Sequence, residues 1–182
     1  MLPPMKSLLR LLPVVGFLGL LVSCQSMKPR HHYDSPAHRP TNPSAVRVKV
    51  SLSNQASYVM EGQRPLLVTA CTVGGSGNGR TPTGNFTIFN KDRYHRKFTQ
   101  GYLVSGNSIR AGAPGQQRAG ERYIGYPMGY WCEFAPAYGI HAGWVWPYAK
   151  SHGCIRVHVN VAPSFFELVR VGTPVAIAQS QP

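Results

Sequence analysis

Apolar residues fall into three regimes along this chain of 182 residues. Leu11 to Val22 is an apolar stretch broken only by Pro13, Gly16 and Gly19. Gln25 to Ala45 has almost no large aliphatic residue, and Pro29, Pro36, Pro40 and Pro43 alternate there with His31, His32, His38 and Ser or Asn. From Val46 onward, short apolar runs are separated by Gly and Pro. Val46-Arg47-Val48-Lys49-Val50 alternates apolar and basic residues, the period-two pattern of a half-buried strand. Ser57 to Met60, Leu66 to Val73 and Phe86 to Phe89 are further strand candidates. Only Ala162 to Val171 changes period: Phe165, Leu168 and Val169 recur at helical spacing, and Gly172 and Pro174 stop the run. Pro174 to Ala178 is the last strand. The pattern predicts a mostly β (α+β) domain over residues 46–178 with one C-terminal helix packed on it, then a short tail at 179–182. Segment 24–45 cannot bury a core and reads as an extended tether. Gly74 to Gly79 and Ala111 to Gly120 read as loops.

Charge and the N-terminal segment say where such a domain works. Lys6 and Arg10 precede the apolar stretch, which is shorter than the roughly 20 residues a membrane span needs, so residues 1–23 read as a secretory signal. Leu21-Val22-Ser23-Cys24 resembles a bacterial lipobox, which implies cleavage after Ser23 and diacylation of Cys24; ordinary signal cleavage with Cys24 incidental is the other reading. The expectation is an exported, membrane-anchored lipoprotein facing the cell wall, periplasmic in a Gram-negative host. Gln25 in place of an aspartate weakly favours the outer membrane there, by resemblance to sorted lipoproteins. The net charge is +13 and cleavage removes only two of the cations, so the exported chain stays basic and is drawn to polyanions. Export and the scatter of the basic residues argue against nucleic acid as partner. Anionic wall polymer or lipid headgroups fit better, and aid to solubility alone is the bland alternative.

The chain has 6 carboxylates, Asp34, Glu61, Asp92, Glu121, Glu133 and Glu167, and no two lie close in sequence. Nothing therefore suggests the carboxylate pair of a glycosidase. Chemistry concentrates between Tyr138 and Val157. Cys154 becomes a nucleophile if a base or positive dipole favours its thiolate, and His141 and His152 are the candidate bases. Gly153 permits a tight turn in which the backbone N–H groups of Gly153 and Cys154 face a developing oxyanion. A buried cysteine among core histidines is the competing reading, and the residue types of His141, His152, Cys154 and His158 also suit zinc.

Ile140-His141-Ala142-Gly143 followed by Ser151-His152-Gly153-Cys154-Ile155-Arg156 resembles the active-site signature of the YkuD-type L,D-transpeptidases. Thr72-Val73-Gly74 with Arg80-Thr81-Pro82-Thr83-Gly84-Asn85-Phe86, and the aromatic stretch Pro127 to Phe134, agree with the family in order and kind. The resemblance spans roughly Val46 to Ile177. It implies an L,D-transpeptidase-like β-sandwich in which Cys154 attacks a peptide carbonyl and His141, oriented by the Ala142 carbonyl, takes its proton. His152 would shape the pocket and support the thiolate. Ser151 is expected to hydrogen-bond within the turn, Arg156 to pair with a substrate carboxylate or brace the loop, and Tyr130 and Trp131 to line the groove or pack in the core. The segment between His141 and Ser151 is shorter than the family's commonest arrangement, and Trp144, Trp146, Pro147 and Tyr148 in it read as a wall over the site or as packing.

The implied substrate is the stem peptide of peptidoglycan at the bond joining an L-centred diamino acid to D-alanine. Transfer to an amine gives cross-linking or attachment, and transfer to water gives an L,D-carboxypeptidase. No metal or organic cofactor is implied, and a carbapenem is the expected covalent inhibitor. A non-catalytic peptidoglycan-binding lipoprotein is the alternative. Cys71 and Cys132 remain, as a disulfide in an oxidising compartment or as two buried thiols.

Overall fold

A computed structural model of the chain describes residues 36–75 and 79–180. The signal, Cys24 and the first part of the tether lie outside those residues, as does the middle of the Gly-rich loop. Twelve strands and one α-helix follow in order: β1 Val46–Ser51, β2 Ala56–Glu61, β3 Arg64–Thr72, β4 Gly84–Thr87, β5 Asn90–Asp92, β6 Arg96–Ser105, β7 Ser108–Gly112, β8 Arg122–Pro127, β9 Trp131–Ala135, β10 Tyr138–Gly143, β11 Ile155–His158, α1 Ala162–Leu168 and β12 Pro174–Ala178. Alternation is clearest in β1, where Val46, Val48 and Val50 are buried while Arg47 is exposed and Lys49 half-buried.

Nine strands form one sheet in the order β4-β12-β1-β2-β3-β11-β10-β9-β5. Its two edges, β4 and β5, are consecutive in the chain and joined only by Ile88 and Phe89. Consecutive Cα atoms are about 3.8 Å apart, so this link spans at most about 11 Å and the edges must meet. The sheet is therefore curled on itself, its inner faces opposed as in a sandwich. The link is stitched at both ends: the Ile88 N–H donates to Thr173 O at 3.0 Å and the Phe89 N–H to Glu133 O at 3.0 Å. This crossing is why the strand expected at Phe86 to Phe89 runs instead from Gly84 to Thr87. Val48, Val59, Leu67, Ile140, Ile155 and Phe165 of α1 fill the interior.

The helix ends at Leu168, three residues before the sequence pattern suggested. The Lys91 ammonium donates to Phe166 O and Val169 O at 2.6 Å each, satisfying carbonyls a further turn would have used, and Val169 is extended and buried. The last residues of the expected tether are likewise tied down. The His38 N–H donates to Leu66 O at 2.8 Å, and the Glu61 carboxylate accepts from Thr41 Oγ1 at 2.8 Å and from the Asn42 N–H.

Strands β7-β6-β8 form a separate three-stranded sheet. Their mutual packing dominates, and they project from the main sheet between β5 and β9.

Cys71 and Cys132 are both free and buried, so of the two readings the sequence left open the structure has two buried thiols and not the disulfide. Cys71 lies on β3 and Cys132 on β9, with β11 and β10 between them. Three strand spacings of about 4.8 Å separate them by about 14 Å, beyond the reach of a bridge. Burial pushes both thiols up to about 12. Iodoacetamide is accordingly expected to alkylate Cys154 in the folded protein and to reach Cys71 and Cys132 only after denaturation; peptide mass mapping checks this.

Candidate active site

Strand pairing brings Cys154 and His141 together. Strands β10 and β11 are parallel, with Ile140 beside Ile155 and His141 beside Arg156. Ile140 and Ile155 are fully buried in the core, so the alternate residues His141 and Arg156 point to the opposite face. Cys154, one residue before Ile155, falls on that same face at the level of Gly139, diagonal to His141.

His141 is 6% exposed, and its Nδ1 lies 2.7 Å from Ala142 O. A carbonyl only accepts, so Nδ1 carries the proton and Nε2 is left as the basic nitrogen. Burial drives the imidazole pKa down to about 4; the Ala142 contact opposes this, and the neighbouring basic side chains of Arg156, His95 and Lys97 add to it. Burial also raises the Cys154 thiol, against the lowering effects of the Gly139 N–H, Lys97 and Arg156. At neutral pH the pair is thus a neutral imidazole and a thiol, and proton transfer accompanies attack. The thiol donates to Ala137 O at 3.7 Å, a carbonyl presented by a turn residue with φ 65°. A non-glycine residue in that region is strained, and here the turn re-aims a carbonyl at the sulfur.

Between pH 6.5 and 4 the unfolded chain binds a proton at His141 that the folded chain refuses. Stability is therefore complete above pH 6.5 and falls as pH drops through this window, by about 3 kcal/mol at most. Glu61, held down to about 2 by hydrogen bonds from Arg64 and Asn42, and Glu121, held there by Arg110, lose their contributions only at lower pH. Urea unfolding at pH 7, 5.5 and 4.5 is expected to show the loss in the parent and its near-absence in His141→Gln. The acid limb of any His141-dependent acylation is likewise expected near pH 4.

The turn before Cys154 is built from hydroxyl clamps. Ser151 Oγ accepts the Gly153 N–H at 3.0 Å and donates to Cys154 O, so Ser151 is a brace within the turn and is itself buried. This engages one of the two N–H groups expected to face an oxyanion and leaves the Cys154 N–H for that task. Thr81 Oγ1 accepts the Gly74 N–H at 2.7 Å and donates to Gly153 O at 2.9 Å. It thereby ties the start of the Gly-rich loop to the turn before Cys154. Gly153 has φ 110°, and a Cβ there would lie 2.5 Å from the Tyr138 ring. Thr72 Oγ1 accepts the Trp146 N–H at 2.6 Å and donates to Trp146 O at 3.2 Å, fixing the short segment after β10.

Not every expected residue joins the site. His152 is exposed, and its ring makes no hydrogen bond among the described residues, so support of the thiolate by that side chain has no contact behind it. Tyr130 turns away: with φ 58° its ring packs on Phe166 at 5.8 Å and lies under Arg93. Trp131 does reach the face that His141 and Cys154 share, 5.9 Å from the His141 ring and stacked on His95 at 4.5 Å. Arg156 is half-buried, its pKa lowered by burial, and no described carboxylate pairs with it. Its stem fills the space beside Gly143, where a Cβ would meet Arg156 Cδ at 3.1 Å.

Sequence reasoning missed Thr81 and Thr72 as clamps and Glu133 as a support. Burial opposes ionisation of Glu133, but hydrogen bonds from Asn90, Trp131 and the Ala137 N–H lower its pKa and fix the turn beneath Cys154. Among the described residues no three His, Cys, Asp or Glu side chains converge in a group that could hold a metal ion. A concavity of about 420 Å³ bordered by Arg47, Lys49, Asn85 and Ala176 lies elsewhere, on β1, β4 and β12, and contains none of these groups.

No curated protein sequence matches the chain significantly. Solved structures do. An L,D-transpeptidase from Stackebrandtia nassauensis superposes with a TM-score of 0.54 at 19% identity, over 80% of this chain and 60% of that one. The catalytic domain of the Enterococcus faecium L,D-transpeptidase gives 0.51 at 22% identity, over 73% and 96%. The Ldtfm-avibactam carbamoyl enzyme gives 0.54 at 22% identity, over 75% and 50%. The chain thus spans about half to three fifths of the longer of these relatives, and at such identities the likeness is one of fold. A family profile described as the YkuD L,D-transpeptidase catalytic domain matches residues 45–177, nearly the whole folded region, and the chain belongs to that family.

Proposed function

We propose that this chain is a cysteine acyltransferase of peptidoglycan, acting through a thioester on Cys154. The observation that carries the reading is the buried, neutral His141, whose Nδ1–H is held by Ala142 O so that Nε2 is basic on the face Cys154 shares. As Cys154 Sγ bonds to the carbonyl carbon at the diamino acid–D-alanine bond, His141 Nε2 takes the thiol proton. The oxyanion accepts from the Cys154 N–H. Collapse breaks the peptide C–N bond, and His141 returns the proton to the departing D-alanine amine. An acceptor amine then attacks the thioester, giving its proton to His141, and the S–C bond breaks as the thiol is restored. Water in place of the amine makes the same site an L,D-carboxypeptidase.

Arg156, a half-buried cation beside His141 in register, suits a carboxylate of the stem peptide. We place the reaction at the cell wall, with the domain tethered through a lipid on Cys24. The basis is the signal and lipobox pattern together with the basic charge. The test is mass spectrometry of purified muropeptides after incubation with the protein and with Cys154→Ala. New cross-links or loss of D-alanine from tetrapeptides, absent with the variant, support the reading. Unchanged muropeptides, together with a Cys154 that a carbapenem leaves unmodified in folded protein, sink it in favour of a wall-binding role.

A further inference from the structure

Beyond Arg156, the reaction face carries an indole that the proposed chemistry does not use. Trp144 is 53% exposed although the backbone on both sides of it is fixed. Gly143 is paired with His158 in the ladder, Val145 is 2% exposed, and Trp146 is clamped at both N–H and carbonyl by Thr72. The indole stands against the His158 ring, with centroids 6.4 Å apart at 75°. His158 follows Cys154 and Arg156 by strand alternation on one face of β11, so the indole lies on the reaction face, past Arg156. Four residues of strand separate the level of Cys154 from that of His158, about 13 Å.

We propose that Trp144 is a sugar-binding platform, stacking on the pyranose that bears the stem peptide whose carbonyl meets Cys154. The inference rests on the peptidoglycan reading above and extends it to the glycan. A tetrapeptide stem attacked at its terminal D-alanine keeps three residues between the acyl carbonyl and the sugar. Extended, these span about 10–11 Å, and the linkage to the sugar adds the remainder needed to reach the indole. Arg156 lies between, where a stem carboxylate would pass. The C–H face of a pyranose carries partial positive charge and meets the negative face of an aromatic ring, and a half-exposed indole on a fixed backbone, with two side-chain torsions, loses little freedom in making that contact.

The experiment uses the full chain carrying Cys154→Ala, so that nothing turns over, with its indoles isotopically labelled. The probes are peptide-free glycan strands released from peptidoglycan by an amidase and, separately, the sugar-free tetrapeptide. Glycan is expected to shift the Trp144 indole N–H resonance saturably, and Trp144→Ala to weaken glycan binding about tenfold. Equal glycan affinity in Trp144→Ala, or no saturable shift at the Trp144 resonance, overturns the platform. The shift is read in the unsubstituted Trp144 background, so a folding defect in the alanine variant cannot produce it. Failure of the catalytic reading is seen separately, as an unmodified Cys154 after carbapenem treatment of the parent. Glycan binding without acylation keeps the platform and removes the transpeptidase, and acylation without glycan binding does the reverse.

Discussion

Cys154→Ala is expected to abolish covalent adduct formation with a carbapenem, and His141→Ala to slow it by about 10³-fold, within the range a positioned general base supplies. Among the described cysteines only Cys154 lies on the face of His141, since Cys71 and Cys132 are walled into the sheet with thiols raised to about 12. Burial also raises the Cys154 thiol, so spontaneous ionisation contributes little at neutral pH and the imidazole has to take the proton during attack. His141 is buried, and its removal leaves a cavity. A loss of rate alone would therefore be ambiguous. Added imidazole separates the cases: it restores part of the acylation rate of His141→Ala if only the base is missing, and restores nothing if the site has collapsed. Intact-mass kinetics over a series of imidazole concentrations make the measurement. Acylation of His141→Ala at the parental rate would remove His141 from the mechanism.

Thr81→Val is expected to be almost as damaging, though Thr81 touches no reacting atom. Valine matches threonine in shape but cannot bond the Gly74 N–H or Gly153 O, both of which lie in the packed turn. Each buried polar group left unsatisfied costs about 1–3 kcal/mol, so with two such groups unfolding free energy should fall by about 2–6 kcal/mol. The turn holding Gly153 at φ 110° also loses its anchor, and displacing the nucleophile by about 1 Å can cost 10²-fold in acylation rate. Thr81→Ser keeps the hydroxyl and should retain most of both properties. Urea unfolding and carbapenem acylation of the two variants test the clamp, and a valine variant that acylates like the parent would show that the turn holds its shape without it.

The legible parts of the fold were those in which one strand's own residues state which face is buried. β1 displays Val46, Val48 and Val50 to the core, and β12 follows the same rule with Val175 and Ile177. The strands β6, β7 and β8 escaped because they pack mainly on one another. Phe98, Tyr102 and Ile109 are exposed there, Gly101 interrupts β6, and no apolar alternation marks a core that these strands barely enter. The helix was visible, but its end was not, since it depends on Lys91, distant in sequence.

For the site, the sequence by itself determined the chemical parts: a cysteine after a glycine turn, a histidine upstream with a carbonyl next to it, and no carboxylates close enough in sequence to suggest a rival chemistry. These are properties of residue type and short spacing, which a local pattern can carry. Only the tertiary structure decided how the parts face each other. The parallel register of β10 on β11 puts His141, Cys154 and Arg156 on one face. A shift by one residue would turn either strand's side chains to the other face. Strand order likewise separates Cys71 from Cys132, and backbone φ turns Tyr130 toward the helix while Trp131 reaches the site. The brace of Ser151 on the Gly153 N–H is local, two residues apart, and was expected; the engagement of the Gly153 carbonyl by Thr81 from more than seventy residues away follows from non-local pairing, to which local periodicity is blind.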